Sequence, residues 1–510
     1  MRKQTKSLLA CFGFLCFIYL GTGIYADELI LTTRVPAWSL KQLLTLNYPN
    51  GPLYIFYNLP VYYMDFLEYY FFKDHFSLYE IMKILISFSG IYAFYFFAKD
   101  YMSKQNALLL AAVFVLFPIH DAANYELQIA QYLLTSFSLV VFSHALINHG
   151  RVKSGFATGL AGSFFSYASP PFVWGLSILF LMRKETRKFF IFVIPQLLYT
   201  FYILFITKVL ALEKVRTVDA GNLPKLIKQF VFQVLTFADA GIGPSFWLKI
   251  YYSLGALSGL SFVVGIVLVY LFYTSFKTEN KFFDKKLFYA FSAVAFCAFA
   301  MYALTGNYPQ IAFSLGNRVT VYGSLVLSLL VVSLASTSRR IASVVFAVFI
   351  FTSLGISDHW KAWHNKQTTI MHNIANNRDL REIDPREPFF VAHNLYSKLG
   401  HISHIEFFET NTVAFRIATG REYIVFPLSK RFYFDGDSLH NKKFDYSVKV
   451  GDHIFVYDSE ADRLLKIPGE EIQRYIDALP ADNRHWVELV DNKFLKGLAV
   501  KLMPRLEYAL

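Results

Sequence analysis

SLLACFGFLCFIYLGTGIYADE, residues Ser7–Glu28, is the stretch whose reading decides the fold. Its apolar part, residues 7–25, is long enough to cross a bilayer, whose hydrocarbon core takes about 20 helical residues. Arg2, Lys3 and Lys6 precede it and Asp27 and Glu28 follow it. Basic residues are retained on the cytoplasmic side, so the two acids are expected at the opposite surface, beside lipid. A cleaved leader is not expected. The apolar run exceeds a signal-peptide core of about 7–15 residues, and Ile24 and Tyr25 suit a cleavage site poorly.

The remaining chain repeats this pattern. Of 510 residues, 55% are hydrophobic and 18% aromatic, a composition rare in soluble domains. Candidate spans fall at roughly 7–25, 76–98, 106–120, 127–147, 154–169, 171–182, 189–208, 251–275, 287–304, 319–336 and 340–356. The expected fold is therefore an all-α polytopic membrane domain of about eleven transmembrane helices over 1–356, followed by a hydrophilic domain, α/β or α+β, over 357–510. The net charge of +12 does not imply nucleic acid, because Lys and Arg gather at the ends of apolar segments. With the N-terminus inside, Lys99/Lys104, Arg151/Lys153, Arg183/Lys184/Arg187/Lys188, Lys277/Lys281/Lys285/Lys286 and Arg339/Arg340 all fall on inner loops. An odd number of spans places the C-terminal domain outside. Cys11, Cys16 and Cys297 lie inside apolar runs and read as small core residues.

Larger outer loops are expected at 26–75 and 209–250. The first carries a candidate interfacial helix around Trp38 to Leu44, the second an amphipathic helix at Leu223–Phe237. The tail opens with a helical stretch near Trp360–Asn376. Strand-like runs follow at Phe389–Ala392, Glu422–Phe426 and His453–Tyr457.

Polar residues worth naming share the outer side. The first loop holds Asp27-Glu28, Arg34 and Asn47-Tyr48-Pro49-Asn50-Gly51-Pro52-Leu53-Tyr54. The second is Pro118-Ile119-His120-Asp121-Ala122-Ala123-Asn124-Tyr125-Glu126. Gly316-Asn317-Arg318-Val319 opens a late span. In this order and sidedness, over about the first 350 residues, the chain resembles the C-type (GT-C) membrane glycosyltransferases. These use sugars linked to a lipid phosphate. They typically carry an acid after the first span, a Pro-Leu-Tyr type segment after it, a second acid in the next outer loop, and an Arg at the outer start of a late span. Asp27-Glu28, Gly51-Pro52-Leu53-Tyr54, Asp121 and Arg318 stand in those places. The chain departs from the pattern at Tyr48-Pro49-Asn50-Gly51-Pro52, where a His-Pro-Pro type motif is usual, and at Val319, where Tyr is usual. It has no Trp-Trp-Asp signature of oligosaccharyltransferases.

The resemblance implies a polyprenyl-phosphate sugar donor, a glycan, lipid or protein acceptor, and a bacterial inner membrane. Chemistry outside the cell then needs a general base for the acceptor hydroxyl and a cation for the departing phosphate, which the planar fork of Arg suits. Asp27 is the expected base, and Arg318 the expected phosphate clamp. Asp121 orients the acceptor or shares the proton work, and Glu28 is a neighbouring or orienting acid. Arg34 steers the donor or contacts lipid head groups. Lys83 snorkels to the surface or meets the donor phosphate. Tyr54 and His120 complete the candidate substrate-binding set. No cofactor and no metal are expected. Two other functions stay open: a lipid-linked glycan polymerase or ligase, for which a cluster of outer arginines is expected, and a lipid or glycan transporter, for which polar groups near the bilayer midplane are expected.

Overall fold

The computed structural model describes residues 2–25, 27–37, 39, 59–73, 75–209, 222–276, 284–305, 308–393, 397–399, 402–405, 411–441, 446–480 and 493–502. It divides into two compact units. One consists of Met1–Gly23 with Val35–Asp358, the other of Ile24–Arg34 with His359–Leu510.

The helices used below are α1 (Arg2–Tyr19), α2 (Asp27–Arg34), α3 (Leu59–Phe72), α4 (Phe76–Ala98), α5 (Lys104–Val115), α6 (Leu127–Asn148), α7 (Val152–Phe165), α8 (Ser169–Met182), α9 (Thr186–Val209), α10 (Leu223–Gly241), α11 (Pro244–Gly255), α12 (Gly259–Ser275), α13 (Lys285–Thr305), α14 (Val321–Ser336) and α15 (Arg339–Asn376). Each expected span overlaps at least one of them. By length and hydropathy, however, six apolar segments among the described residues suffice to cross a membrane: α4, α6, α9, α13, Leu315–Ser336 and α15. A seventh arises if the bent pair from α10 to α12 counts as one span.

Two departures from the expected spans have local causes. The first apolar helix stops at Tyr19, although the apolar run continues to residue 25. Gly21 and Gly23 sit at φ 85° and 66°, backbone that glycine adopts without a Cβ penalty and that breaks an α-helix. The expected span at 251–275 is broken between α11 and α12, where the chain bends by 113°. Ser258 caps α12 by accepting from the Ser261 amide at 3.2 Å. Asp358 holds the same turn, accepting from Ser258 N at 2.8 Å and from Ser261 Oγ at 2.9 Å.

The helices of the first unit pack through aromatic rings and glycines. Phe94, Phe114, Phe137 and Phe172 form a chain of ring contacts with centroids 4.7–5.3 Å apart, in the tilted and edge-on geometry that aromatic pairs prefer. Apolar side chains gain little from leaving lipid, so small residues that let backbones approach carry much of the association between membrane helices. Gly155, Gly159 and Gly162 of α7 lie against α6. Gly175 of α8 lies so close to α13 that a Cβ there would stand 2.4 Å from Val294 N. Cys11, Cys16 and Cys297 are free thiols of intermediate exposure rather than fully buried core residues.

The second unit is mixed α and β. Its main sheet runs in the order β2 (Val425–Pro427), β1 (Phe389–Ala392), β3 (His453–Asp458), β4 (Arg463–Pro468). The first three strands are parallel, and β4 closes the edge antiparallel. Strand side chains alternate between faces. Phe390, Ile454 and Val456 join a core with Ile472 and Ile476 of the helix Gly469–Ala478. On the other face Phe389 meets Phe415 of the helix Asn411–Thr419 at 5.0 Å. A three-stranded antiparallel meander, Phe432–Asp435, Ser438–Asn441 and Tyr446–Lys449, adds Phe432, Leu439 and Val448 to the first core.

Gly175→Val should overpack the α8–α13 contact at a cost of about 1–3 kcal/mol or more. Thermal unfolding in detergent should show a clear fall in midpoint, whereas Gly259→Ala, with open space around its Cβ, should unfold near the wild-type temperature.

Candidate functional site

The site begins where α5 ends. Pro118 opens a tight 3-10 turn over Pro118–His120 after extended Phe117; its fixed φ and missing N–H suit the first position of such a turn. A further helical turn, Ala122–Tyr125, follows. Asp121 lies between the two and points into protein. Its Oδ1 accepts from Lys249 Nζ at 2.9 Å and from Asn317 Nδ2 at 2.5 Å. The Lys249 side chain is 0% exposed and that of Asp121 3%. Two charges at this depth are sustained by each other, because either alone would carry a desolvation penalty of several kcal/mol.

Asn317 ties the same segment a second time. Its Nδ2 also reaches Ala312 O at 3.3 Å, and its Oδ1 accepts from Ala122 N at 3.1 Å. Thr320 Oγ1 donates to Ile119 O at 2.9 Å, and His120 Nδ1 lies 3.0 Å from Ser324 Oγ. Three stretches remote in sequence, 118–126, α11 and 312–324, thus meet in one buried polar knot. His120, expected to bind substrate, is fully buried within it.

Arg318 follows Asn317 in the 3-10 turn Leu315–Thr320 that leads into α14. The turn starts at Ser314, a non-glycine residue at φ 64° whose hydroxyl accepts from Gly316 N at 3.3 Å. Backbone held in that region is strained, by roughly 1–3 kcal/mol. The Arg318 guanidinium leans on Glu126 Oε2 at 3.4 Å. Arg318 is 28% exposed while Glu126 is 1% exposed. A part-exposed guanidinium, braced by a buried acid at the entrance to an apolar helix, suits an anion such as phosphate.

Lys83 does not snorkel to the surface: it is fully buried, and its Nζ donates to Gly23 O at 2.5 Å. One turn earlier on α4, Glu80 Oε1 accepts from Gly23 N at 2.8 Å. The pair pins both backbone groups of Gly23, which answers the broken helix at that point. Asp27 opens α2 and Arg34 closes it, both within the second unit. Glu28 is fully buried there; its Oε2 accepts from Tyr25 N at 2.7 Å and its own N–H returns to Tyr25 O at 2.9 Å, so it caps α2. The Tyr25 ring rests on Trp360 and Trp363 at 4.4 and 4.2 Å. Tyr54 and the rest of its motif lie outside the described residues, as does the expected interfacial helix near Trp38. Within the first unit, therefore, His120, Asp121 and Arg318 come together, and Lys83 serves the Gly23 turn.

Sequence reading missed Lys249, and did not separate Glu126 or Asn317 from their neighbours. A signal for Lys249 existed: it is a lone cation inside the apolar run Phe246-Trp247-Leu248-Lys249-Ile250-Tyr251-Tyr252, and an ionisable residue in such a run marks a buried partner or a functional site. Among the described residues, no group of three or more His, Cys, Asp or Glu is arranged to hold a metal ion.

Lys83→Met should cost about 1.5–3 kcal/mol, the worth of a hydrogen bond to a charged group, and lower the thermal midpoint in detergent. An unchanged midpoint would contradict this role. No family model, curated protein or solved structure matches this chain, so its chemistry stands on the residues assembled above.

Proposed function

We propose that the protein is an integral membrane glycosyltransferase. It takes a sugar from a polyprenyl-phosphate donor and passes it to a hydroxyl of a cell-envelope glycan, a glycolipid or a protein on the outer face of the membrane. The observation that carries this is Arg318: a part-exposed guanidinium, braced by buried Glu126, at the start of an apolar helix. The order of acids and Arg along the chain supports the same function. The proposal includes the topology read from the sequence: about eleven crossings of a bacterial inner membrane, the N-terminus cytoplasmic and residues 357–510 outside.

In this mechanism the acceptor oxygen attacks the anomeric carbon as the bond from that carbon to the phosphate oxygen breaks, with inversion. The acceptor proton passes to a carboxylate, assigned to Asp27 from its place in the sequence after the first apolar helix. The electron pair leaves with polyprenyl phosphate, whose charge Arg318 receives. Charge that grows on the phosphate in the transition state strengthens its bonds to a guanidinium.

The test is transfer of label from a polyprenyl-phosphate sugar in membranes that contain the protein. Asp27→Asn should lower kcat by about 10²–10⁴, the usual worth of a general base. Arg318→Ala should raise donor KM by roughly 10–100-fold, the loss of charge-assisted hydrogen bonds. Near-wild-type turnover in Asp27→Asn removes it as base, and unchanged donor affinity in Arg318→Ala removes the clamp.

A transporter of the same lipid-linked anion is the second reading, favoured by the helix pair bent by 113°, since broken helices frame many transport sites. It predicts that labelled donor crosses the bilayer intact, with no transfer to an acceptor.

A further inference from the structure

We infer that the Lys249–Asp121 ion pair is a positioning device for Arg318, and that Asp121 takes no part in proton transfer. This rests on the proposed role of Arg318 as the cation for a lipid phosphate. A general base must come within about 2.6–3.2 Å of the group it deprotonates. Asp121 is only 3% exposed, and one of its oxygens already holds both the Lys249 ammonium at 2.9 Å and the Asn317 amide at 2.5 Å. An acceptor hydroxyl carried on a glycan or protein does not reach such an enclosed group.

The same bonds do hold Arg318 at both ends. Its backbone follows Asn317, whose amide is divided between Asp121 Oδ1 and the Ala122 N–H. Its guanidinium rests on Glu126, four residues further along that same segment. Two footings of Arg318 thus stand on residues 121–126, and Lys249 bonds that segment to α11. The Lys249 ammonium also lies 5.3 Å from the Phe313 ring, just before the turn that carries Arg318. A lysine remote from Arg318 in sequence therefore sets the distance and direction from which the guanidinium meets an anion. Arginine needs that: its planar fork matches phosphate oxygens only over a narrow range of approach, and a misplacement of about 1 Å costs on the order of 10²-fold in rate.

The experiment uses the full chain in lipid nanodiscs and two double variants, each of which removes both charges of the pair. Asp121→Asn/Lys249→Met keeps an oxygen for Asn317 and removes both charges. Asp121→Ala/Lys249→Met removes the anchor itself. Two quantities are read for each: the Kd for dodecyl phosphate by titration calorimetry, and the split of sugar transfer into kcat and donor KM. The Asn/Met variant should raise Kd and KM together by about threefold or more and hold kcat near wild type, because the tie to α11 is lost while the bond to Asn317 is kept. The Ala/Met variant should raise Kd and KM together by about tenfold or more at nearly constant kcat, the mark of lost binding rather than lost chemistry. A fall in kcat of about 10²-fold in the Asn/Met variant at unchanged KM would restore Asp121 to proton transfer and overturn the inference. An unchanged Kd in the Ala/Met variant, or no binding of dodecyl phosphate by the wild type, overturns it as well. If phosphate binds and follows the expected order while no sugar is transferred, the positioning role stands and the glycosyltransferase function fails.

Discussion

A lysine and an aspartate 128 residues apart share one buried hydrogen bond at 2.9 Å, and the polar centre of the first unit depends on it. Neither charge is tolerable alone at that depth. Together they oblige α11, the 118–126 segment and the turn before α14 to meet. Asn317, Thr320 and Ser324 then follow with ordinary hydrogen bonds that cost little once the ion pair has fixed the approach. Apolar helix surfaces in lipid slide and rotate with little penalty, because one greasy contact replaces another. A buried ion pair has one geometry, so it supplies the register that apolar packing leaves loose.

Much of the architecture was legible in local pattern. Apolar runs long enough for helices became helices, and β-rich runs such as Phe389–Ala392 and His453–Tyr457 lie in neighbouring strands of one sheet. What local pattern does not carry is where a helix fails inside an apolar run. The end of α1 was decided by the left-handed backbone of Gly21 and Gly23 together with two distant side chains, Glu80 and Lys83, that bond the Gly23 peptide groups. The break before α12 was decided by Ser258 and by Asp358, a full hundred residues on.

The candidate site was legible to the same degree. His120, Asp121 and Arg318 were found from type and order, and they do assemble in one unit. Their environment was not. Asp121 read as an outer-loop acid that meets the acceptor, yet it is buried, and Lys249 reaches it from α11, which begins in the expected outer loop 209–250. Lys83 read as an interfacial cation because snorkelling is the usual fate of lysine in a span. The backbone carbonyl of Gly23 gives it a buried acceptor instead. In both cases a pairing across many residues overrode the behaviour expected of the side chain alone.

The ion pair is tested most directly by a double-mutant cycle at Asp121 and Lys249, read as thermal stability of the purified protein in detergent. Asp121→Ala and Lys249→Met are measured singly and together. If the pair organises this part of the fold, each single variant removes the attraction and keeps one of its charges, and the double variant should be more stable than the sum of the singles by about 2 kcal/mol or more. Additivity within about 0.5 kcal/mol, the behaviour of independent sites, would contradict it.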